Sequence, residues 1–157
     1  MISGNGQDGV QIHGNDATGN RVLSNSIYAN GDLGIDLNGD GPTANDPGDP
    51  DTGANNLQNK PVLTSAKTGG GTTTVRGKLD STPNKTFKIQ FFSNPSGTYE
   101  GKKLIGTKSF TTDGSGDATF AFSPAQKVDV GRTVTATATS PGGNTSKFSA
   151  PRTVVAR

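Results

Sequence analysis

The side chains with the clearest chemical potential are oxygen ligands that crowd into one short segment. Asp36, Asn38 and Asp40 stand at alternate positions and Gly41 follows them, which reproduces the first half of a calcium-binding loop. The last position of such a loop normally holds a bidentate glutamate, but Pro47 occupies it here. Because the chain has no cysteine and only 1 histidine, these hard oxygen ligands favour Ca²⁺ over zinc or copper. The predicted ligands of a structural calcium ion are Asp36, Asn38, Asp40, Asp46, Asp49 and Asp51.

The same residues have a second interpretation that needs no ion. Asp and Asn side chains often accept hydrogen bonds from neighbouring backbone N–H groups in turns, and they then stay solvated. Closely spaced carboxylates, however, repel one another unless a cation or solvent screens them. Pro47 and Pro50 stiffen the segment and can direct the carboxylates of Asp46, Asp49 and Asp51 towards one point. We therefore expect either a structural calcium site or a set of solvated turn caps.

A catalytic role has weaker support in the sequence. Asp8, His13, Asp16 and Asp36 supply the carboxylates and the imidazole that acid–base cleavage of a glycosidic bond can use. No partner for His13 follows from the sequence, and the Gly-x-Ser-x-Gly motif of serine hydrolases is absent. We therefore expect no enzymatic activity from this chain.

Carbohydrate binding is the more serious alternative. Exposed aromatic rings stack on sugar faces while polar side chains bind the hydroxyl groups. The chain has no tryptophan, which weakens this hypothesis, and the aromatic residues of a small domain usually fill its core. The candidate residues for a surface glycan are Tyr99, Phe92, Phe110, Lys88, Gln90 and Asn94.

Composition argues against several other partners. The formal net charge is +2, yet residues 1–59 hold one arginine, Arg21, and no lysine. The remaining basic residues are spread along later segments without interleaved aromatic residues, so the footprint of nucleic-acid binding is missing. No apolar run approaches the roughly 20 residues of a membrane span, and residues 1–20 lack the regions of a signal peptide. We expect neither a nucleic-acid partner nor a membrane span.

The elements that must position these residues begin with an internal repeat. Ile2–Gly6 reappears as Ile27–Gly31, and Gly9–Ile12 reappears as Gly34–Leu37, each 25 residues later. Short strands at such a period are typical of a solenoid, in which each coil buries its apolar side chains by stacking on the next. Fewer than two coils are present, whereas about three are needed for a stable core. These coils must therefore pack against another part of the protein. The side chains predicted to point into the coil are Val10, Ile12, Val22, Ile27, Ile35 and Leu37.

After Asn59 the sequence changes to alternating β-prone segments separated by Gly- and Pro-rich turns. Phe87, Ile89 and Phe91 alternate with polar residues, which predicts a strand with one buried face. About seven such strands fit a two-sheet sandwich of Ig-like type, and a small closed barrel is the alternative. The predicted strands are Pro61–Lys67, Thr72–Leu79, Thr86–Ser93, Lys103–Thr111, Asp117–Ser123, Arg132–Ser140 and Lys147–Ala156.

Three stretches carry a resemblance to a known class of protein. They are the coil that ends in Gly34–Leu37, the acidic stretch Asn45–Gly53 and its exit Asn56–Leu63. In this order they resemble the C-terminal end of bacterial extracellular right-handed parallel β-helix proteins with pectate-lyase-like repeats, followed by a bacterial Ig-like domain. The resemblance covers nearly the whole chain and implies an extracellular or bacterial cell-surface location. It does not imply a defined biochemical activity.

Together these patterns predict an all-β chain in three parts. Residues 1–40 form a short right-handed β-helix end of fewer than two coils, residues 41–60 form an acidic, calcium-binding linker loop, and residues 61–157 form an Ig-like β-sandwich. The expected function is that of a non-catalytic structural or interaction module that caps a β-helix and takes part in assembly or adhesion. The alternative is a carbohydrate-binding module or an accessory part of a polysaccharide-degrading β-helix enzyme. Open strand edges at the β-helix end predict self-association.

Overall fold

The computed structural model describes residues 1–157 and is all-β. It contains no α-helix, and its single helical element is the 3₁₀ turn Ala54–Leu57. The strands form four separate sheets, and none of these sheets closes on itself. The strands are β1 (Ile2–Ser3), β2 (Val10–Ile12), β3 (Ile27–Tyr28), β4 (Ile35–Leu37), β5 (Val62–Gly69), β6 (Thr72–Asp80), β7 (Thr86–Asn94), β8 (Lys103–Thr111), β9 (Asp117–Phe122), β10 (Thr133–Thr139), β11 (Arg152–Thr153) and β12 (Val155–Ala156).

Residues 2–37 form one full turn of chain and the start of a second turn stacked on it, which we name the coil pair. β1 pairs with β3 and β2 pairs with β4, and both pairings are parallel. Ile2 lies directly beside Ile27. Nδ2 of Asn5 donates to Oδ1 of Asn30, 25 residues later, at 2.9 Å. The repeat in the sequence therefore corresponds to one turn of the coil pair.

The coil pair shares its core with side chains from outside the repeat. Four of the six side chains predicted to point inward are buried, and Val10 and Val22 are partly buried beside them. Phe92 and Phe148 enter this core from the C-terminal part of the chain, with their ring centroids 5.4 Å apart in an edge-to-face arrangement. The coil pair thus packs against the rest of the chain, as its small number of coils requires. The buried core residues are Ile12, Ile27, Ile35, Leu37, Ala54, Phe92 and Phe148.

Residues 62–157 form two four-stranded sheets around a second core, and we name this part the two-layer body. One sheet has the strand order β11-β10-β7-β8 and the other has the order β12-β5-β6-β9. Phe87, Ile89 and Phe91 of β7 face the core, as predicted. Phe91 stacks on Phe122 with 4.2 Å between ring centroids and meets Phe120 edge to face. Both sheets end in free edges, so the closed-barrel alternative is wrong.

The last predicted strand is wrong over most of its length. The sequence predicts one strand over Lys147–Ala156, but only the short strands β11 and β12 form there. Before them, the N–H groups of Ser146 and Ser149 donate to the carbonyl oxygens of Ala138 and Ala136, each at 2.8 Å. The hydroxyl groups of Ser149 and Ser146 in turn accept hydrogen bonds from the N–H groups of Ala136 and Ala138, respectively. Because side-chain hydroxyls replace backbone carbonyls as acceptors, the regular strand pairing is interrupted here.

The segment between the two parts makes a left-handed turn at Asn55, Asn56 and Leu57, whose φ angles are 50°, 51° and 46°. Asn occupies this backbone region more readily than most residues. The fully buried side chain of Asn55 donates through Nδ2 to the carbonyl oxygens of Asn20 at 2.8 Å and Thr145 at 3.0 Å. Asn55 therefore connects the coil pair to the two-layer body.

Replacing Asn55 with alanine is expected to lower the free energy of unfolding by about 2–4 kcal/mol. The substitution removes the donor to the carbonyl oxygens of Asn20 and Thr145 and the acceptor of the Asn20 N–H, and it puts alanine in a left-handed conformation. Asn56→Ala is the matched control, because Asn56 has the same backbone conformation but an exposed side chain. Asn56→Ala should lower the free energy of unfolding by only about 1 kcal/mol, which is the cost of alanine in the left-handed conformation. Urea denaturation followed by circular dichroism measures both values, and equal losses would contradict the connecting role of Asn55.

Candidate metal centre

Five of the six predicted calcium ligands fall into two groups in the structure. One group surrounds the ammonium of Lys147 and contains Asp36 and Asp40. Asn38 joins neither group, and its amide lies beside Gly53. The other group, which we name the Asp triad, consists of Asp46, Asp49 and Asp51.

The Asp triad brings one ligand oxygen from each of its members to within 4.8 Å of the others. Three donors orient the carboxylate of Asp49. Nε2 of Gln58 donates to its Oδ2 at 2.6 Å, and Oγ of Ser81 donates to the same oxygen. The N–H of Asn59 donates to its Oδ1 at 3.1 Å. The chain itself therefore sets the orientation of this carboxylate.

The carboxylates of the Asp triad are incompletely satisfied. Burial raises the pKa of Asp49 to about 6, although hydrogen bonds from Ser81 and Asn59 oppose this shift. Burial, followed by the negative charge of Asp46, also raises the pKa of Asp51. Oδ1 of Asp46 and Oδ1 of Asp51 are buried and have no hydrogen-bond donor. Because buried carboxylate oxygens are costly without a partner, a cation with several oxygen ligands fits the chemistry of this group.

The second group is built around Lys147, which is only 6% exposed. Its Nζ lies 2.7 Å from Oδ1 of Asp36 and 3.0 Å from Oδ1 of Asp40. Nζ also donates to Oγ1 of Thr43 at 2.6 Å and to the carbonyl oxygen of Gly41. We name these four oxygen atoms the lysine cage. The cage connects the end of β4 and the segment after it to the residues that follow β10.

The charges around the lysine cage affect the titration of their neighbours. The hydrogen bond from Lys147 holds the pKa of Asp40 below its usual range. Lys60 lies beside the cage and donates to the carbonyl oxygen of Thr43. Burial, followed by the positive charge of Lys147, lowers the pKa of Lys60. The cage is thus a compact charged group in which Lys147 and Asp36 are buried, whereas Asp40 is exposed.

The residues considered for acid–base catalysis lie in different environments. Oδ1 of Asp8 accepts the N–H of Leu33 at 2.9 Å and so connects the two turns of the coil pair. His13 and Asp16 are exposed. Asp36 contacts the ammonium in the lysine cage. Asp8 is partly buried and Asp36 is buried, and each of these two carboxylates has a structural partner.

Most of the residues considered for glycan binding contribute to the interior. Phe110 is partly buried against the core of the two-layer body. Tyr99 is 40% exposed and Lys88 is exposed. The remaining three side chains are buried, and they are Gln90, Phe92 and Asn94.

Two charged residues that the sequence analysis did not single out hold the two parts together. Glu100 is 3% exposed, and its carboxylate accepts the N–H of Ala29 at 3.0 Å and both the N–H and Nδ2 of Asn30 at 2.9 Å. Lys147 stands 107 residues after its partner Asp40. No local pattern marks either residue, because their partners lie far away along the chain.

No known protein-family model matches the chain, and no curated protein matches it. None of its helical structure has the length and apolar character that crossing a membrane requires. The contacts among the coil pair, the Asp triad, the lysine cage and the two-layer body are therefore the basis for assigning a function.

Proposed function

We propose that this chain is a non-catalytic structural module of a secreted or cell-surface protein, in which an Ig-like β-sandwich caps the end of a right-handed β-helix. In this proposal the coil pair is the end of the β-helix and the two-layer body is the sandwich. The observation that carries the proposal is the asymmetry of the coil pair. The two-layer body covers one side of it, whereas the strand edge on the opposite side, formed by β1 and β2, is free.

The covered side is sealed by the loop between β7 and β8. The N–H of Ile27 donates to the carbonyl oxygen of Gly101 at 2.8 Å, and the N–H of Gly101 donates back at 2.9 Å. The N–H of Gly34 donates to the carbonyl oxygen of Tyr99 at 3.0 Å. Glu100 adds its carboxylate bonds between these two points. The loop occupies the position of a further coil, which supports the role of a cap.

The free edge presents unpaired backbone groups. Ile2 and Gly4 donate their N–H groups towards β3 at 2.8 and 3.0 Å, so the N–H of Ser3 between them faces outward. Val10 likewise donates towards β4 at 3.0 Å, so the N–H of Gln11 faces outward. A row of unpaired donors and acceptors is a template for another strand. The free edge is therefore suited to receive a further coil of the same kind.

Adding one coil at the free edge tests the proposed function. A duplicate of residues 2–26 inserted before Ile2 supplies strands in the register of the repeat. Because each new interface adds to the stability of a solenoid, we expect a higher thermal unfolding midpoint and a single transition. The control carries lysine at the duplicated copies of Val10 and Ile12, so that its added coil cannot bury an apolar face. An unchanged or lower midpoint for the intact duplicate would contradict the proposal.

We also infer that the Asp triad binds one structural Ca²⁺ ion. The buried oxygens of Asp46 and Asp51 that lack donors support this inference, as does the fixed carboxylate of Asp49. Calcium accepts about 6–8 oxygen ligands, and backbone carbonyls and water can complete its shell. An ion at this point offsets the repulsion between the carboxylates and stabilises the segment that joins the coil pair to the two-layer body.

Calcium is expected to raise the thermal unfolding midpoint relative to the protein in EDTA. Ligand linkage gives about 2.7 kcal/mol of added stability when free calcium is 100-fold above its Kd. Asp51→Asn preserves the shape of the side chain and should abolish the response. Asp129→Asn is the matched control, because Asp129 is exposed and lies outside the Asp triad, and it should respond like the unchanged protein. Scanning fluorimetry at millimolar calcium measures the shift, and its absence in the unchanged protein would rule out the calcium site.

A further inference from the structure

We infer that the lysine cage is a divalent-cation site whose cation is built into the chain as the ammonium of Lys147, and that the site takes Ca²⁺ when this ammonium is removed. The inference concerns a different group of residues from the Asp triad and does not depend on calcium binding there. It assigns cation binding to the oxygen atoms around Lys147, which would otherwise be interpreted as part of an ordinary buried ion pair.

The number of oxygen atoms in the lysine cage exceeds the number of protons that Lys147 can offer. An ammonium has three N–H donors, whereas four oxygen atoms face Nζ. Oδ1 of Asp36 lies 2.7 Å and Oδ1 of Asp40 lies 3.0 Å from Nζ, so at least two of the four oxygens must share one N–H donor. Asp36 is 2% exposed, so water does not reach its Oδ1 freely. A spherical cation has no such directional limit and can contact all four oxygens.

The ligands of the lysine cage also follow the order of a calcium loop. Asp36 and Asp40 supply carboxylates from the first and fifth positions of the loop, whereas Asn38 at the third position takes no part. Gly41 makes the sharp turn with a φ of +78°. The N–H of Gly41 donates to Oδ2 of Asp36 at 3.0 Å, which leaves Oδ1 directed at the cage centre. Gly41 and Thr43 add a carbonyl and a hydroxyl oxygen. Carboxylate, carbonyl and hydroxyl oxygens are the hard ligands that Ca²⁺ prefers.

The tethered ammonium excludes a metal ion from the unchanged protein. Nζ of Lys147 occupies the point where the four oxygens converge, and Lys60 adds a second positive charge beside it. A cation attached to the same chain has a high effective concentration, so a free ion must displace it against that advantage. The lysine cage therefore holds the coil pair to the two-layer body in a calcium-independent way, whereas the Asp triad depends on the ion.

The test removes the Asp triad from the measurement. Every chain carries Asp49→Asn and Asp51→Asn, so calcium titrated by isothermal calorimetry reports on the lysine cage alone. With Lys147 intact, we expect no calcium binding. With Lys147→Glu, which places a carboxylate where the ammonium stood, we expect one Ca²⁺ with a Kd on the order of 10⁻⁴–10⁻³ M. The thermal unfolding midpoint of this variant should rise with calcium.

Two further variants act as controls. Lys147→Gln supplies an oxygen without a charge, and its calcium affinity should be roughly tenfold weaker than that of Lys147→Glu, because affinity follows the number of charged ligands. Asp36→Asn combined with Lys147→Glu should return calcium binding to the baseline. A Lys147→Glu chain that is unfolded in EDTA and folds in calcium supports the inference equally.

Several outcomes would overturn the inference. One is calcium binding by the triad-deficient chain that keeps Lys147. Another is the absence of any calcium response, in binding or in folding, from both Lys147→Glu and Lys147→Gln. A third is an intact mass of the unchanged protein that is one water lighter than its sequence, since Nζ of Lys147 would then be consumed in an amide with Asp36. Failure of the Asp triad to bind calcium would leave this test unaffected.

Discussion

Replacing Phe148 with alanine is expected to lower the free energy of unfolding by about 3–5 kcal/mol. Phe148 is 2% exposed and meets Phe92 edge to face, so truncation opens a cavity in the core that the coil pair shares with the two-layer body. Its ring lies so close to Gly34 that a Cβ atom there would be 2.7 Å away. The surrounding backbone is therefore already in contact with the ring and cannot close the cavity without moving β4.

The control for this prediction is Phe110→Ala, the same truncation at the margin of the other core. Urea denaturation measures the loss of unfolding free energy in both variants, and amide hydrogen exchange shows which part of the chain is destabilised in each. We expect faster exchange throughout the coil pair in Phe148→Ala, and unchanged relative protection of the coil pair in Phe110→Ala. A loss below about 1 kcal/mol for Phe148→Ala, the range of a tolerated surface change, would show that the shared core is not needed.

Replacing Lys147 with methionine in EDTA is expected to cost about 3–5 kcal/mol, because it leaves a buried carboxylate without its counter-charge. Lys147 and Asp36 have side chains that are 7% and 3% exposed, so neither charge is screened well by water. Methionine is an unbranched side chain that is one heavy atom shorter than lysine, and it removes the charge and the donors. In a chain that also carries Asp49→Asn and Asp51→Asn, so that the Asp triad cannot bind the ion, added calcium should recover part of the loss.

Lys127→Met is the matched control for the charge. Lys127 forms an exposed ion pair with Asp129 at 3.7 Å, and exposed pairs contribute about 0–1 kcal/mol. Chemical denaturation of the two variants in the same buffer compares the buried pair with the exposed one. Equal stability of Lys147→Met and the unchanged protein would mean that the lysine cage does not hold the two parts together.

The internal repeat is the feature that sequence reasoning captured best. A spacing of 25 residues between like segments translates directly into the parallel register of β1 with β3 and of β2 with β4. Stacking identical coils places equivalent residues beside one another, so the period alone contains this information. The alternation of Phe87, Ile89 and Phe91 likewise determined which face of β7 enters the core.

The other face of β7 could not be predicted in the same way. Gln90, Phe92 and Asn94 alternate with the core residues and read as an outward face, yet all three are buried. The coil pair covers two of them: Oε1 of Gln90 accepts a hydrogen bond from the N–H of Ser24 at 2.8 Å, and Phe92 enters the core of the coil pair. Nδ2 of Asn94 donates instead to the carbonyl oxygen of Glu100, in the loop between β7 and β8, at 3.0 Å. Alternation reports the two faces of a strand but not what packs on each of them.

The calcium-loop pattern was informative about oxygen ligands and uninformative about their cation. Asp36 and Asp40 do converge on one positive centre, as the spacing implies. The centre is Lys147, which a local motif cannot include because it comes from the other end of the chain. Asp46, Asp49 and Asp51 converge separately, because the chain turns at Gly41, where φ is positive, before it reaches them.

Amide hydrogen exchange of the unchanged protein tests most directly whether the two-layer body caps the coil pair. The N–H groups of Ile27 and Gly34 bond to the loop between β7 and β8, so they should exchange as slowly as that of Ile89 in the core of the two-layer body, by global unfolding. The outward N–H groups of Ser3 and Gln11 should exchange fast. Exchange of Ile27 and Gly34 at the rate of Ser3, with Ile89 still protected, would contradict the account.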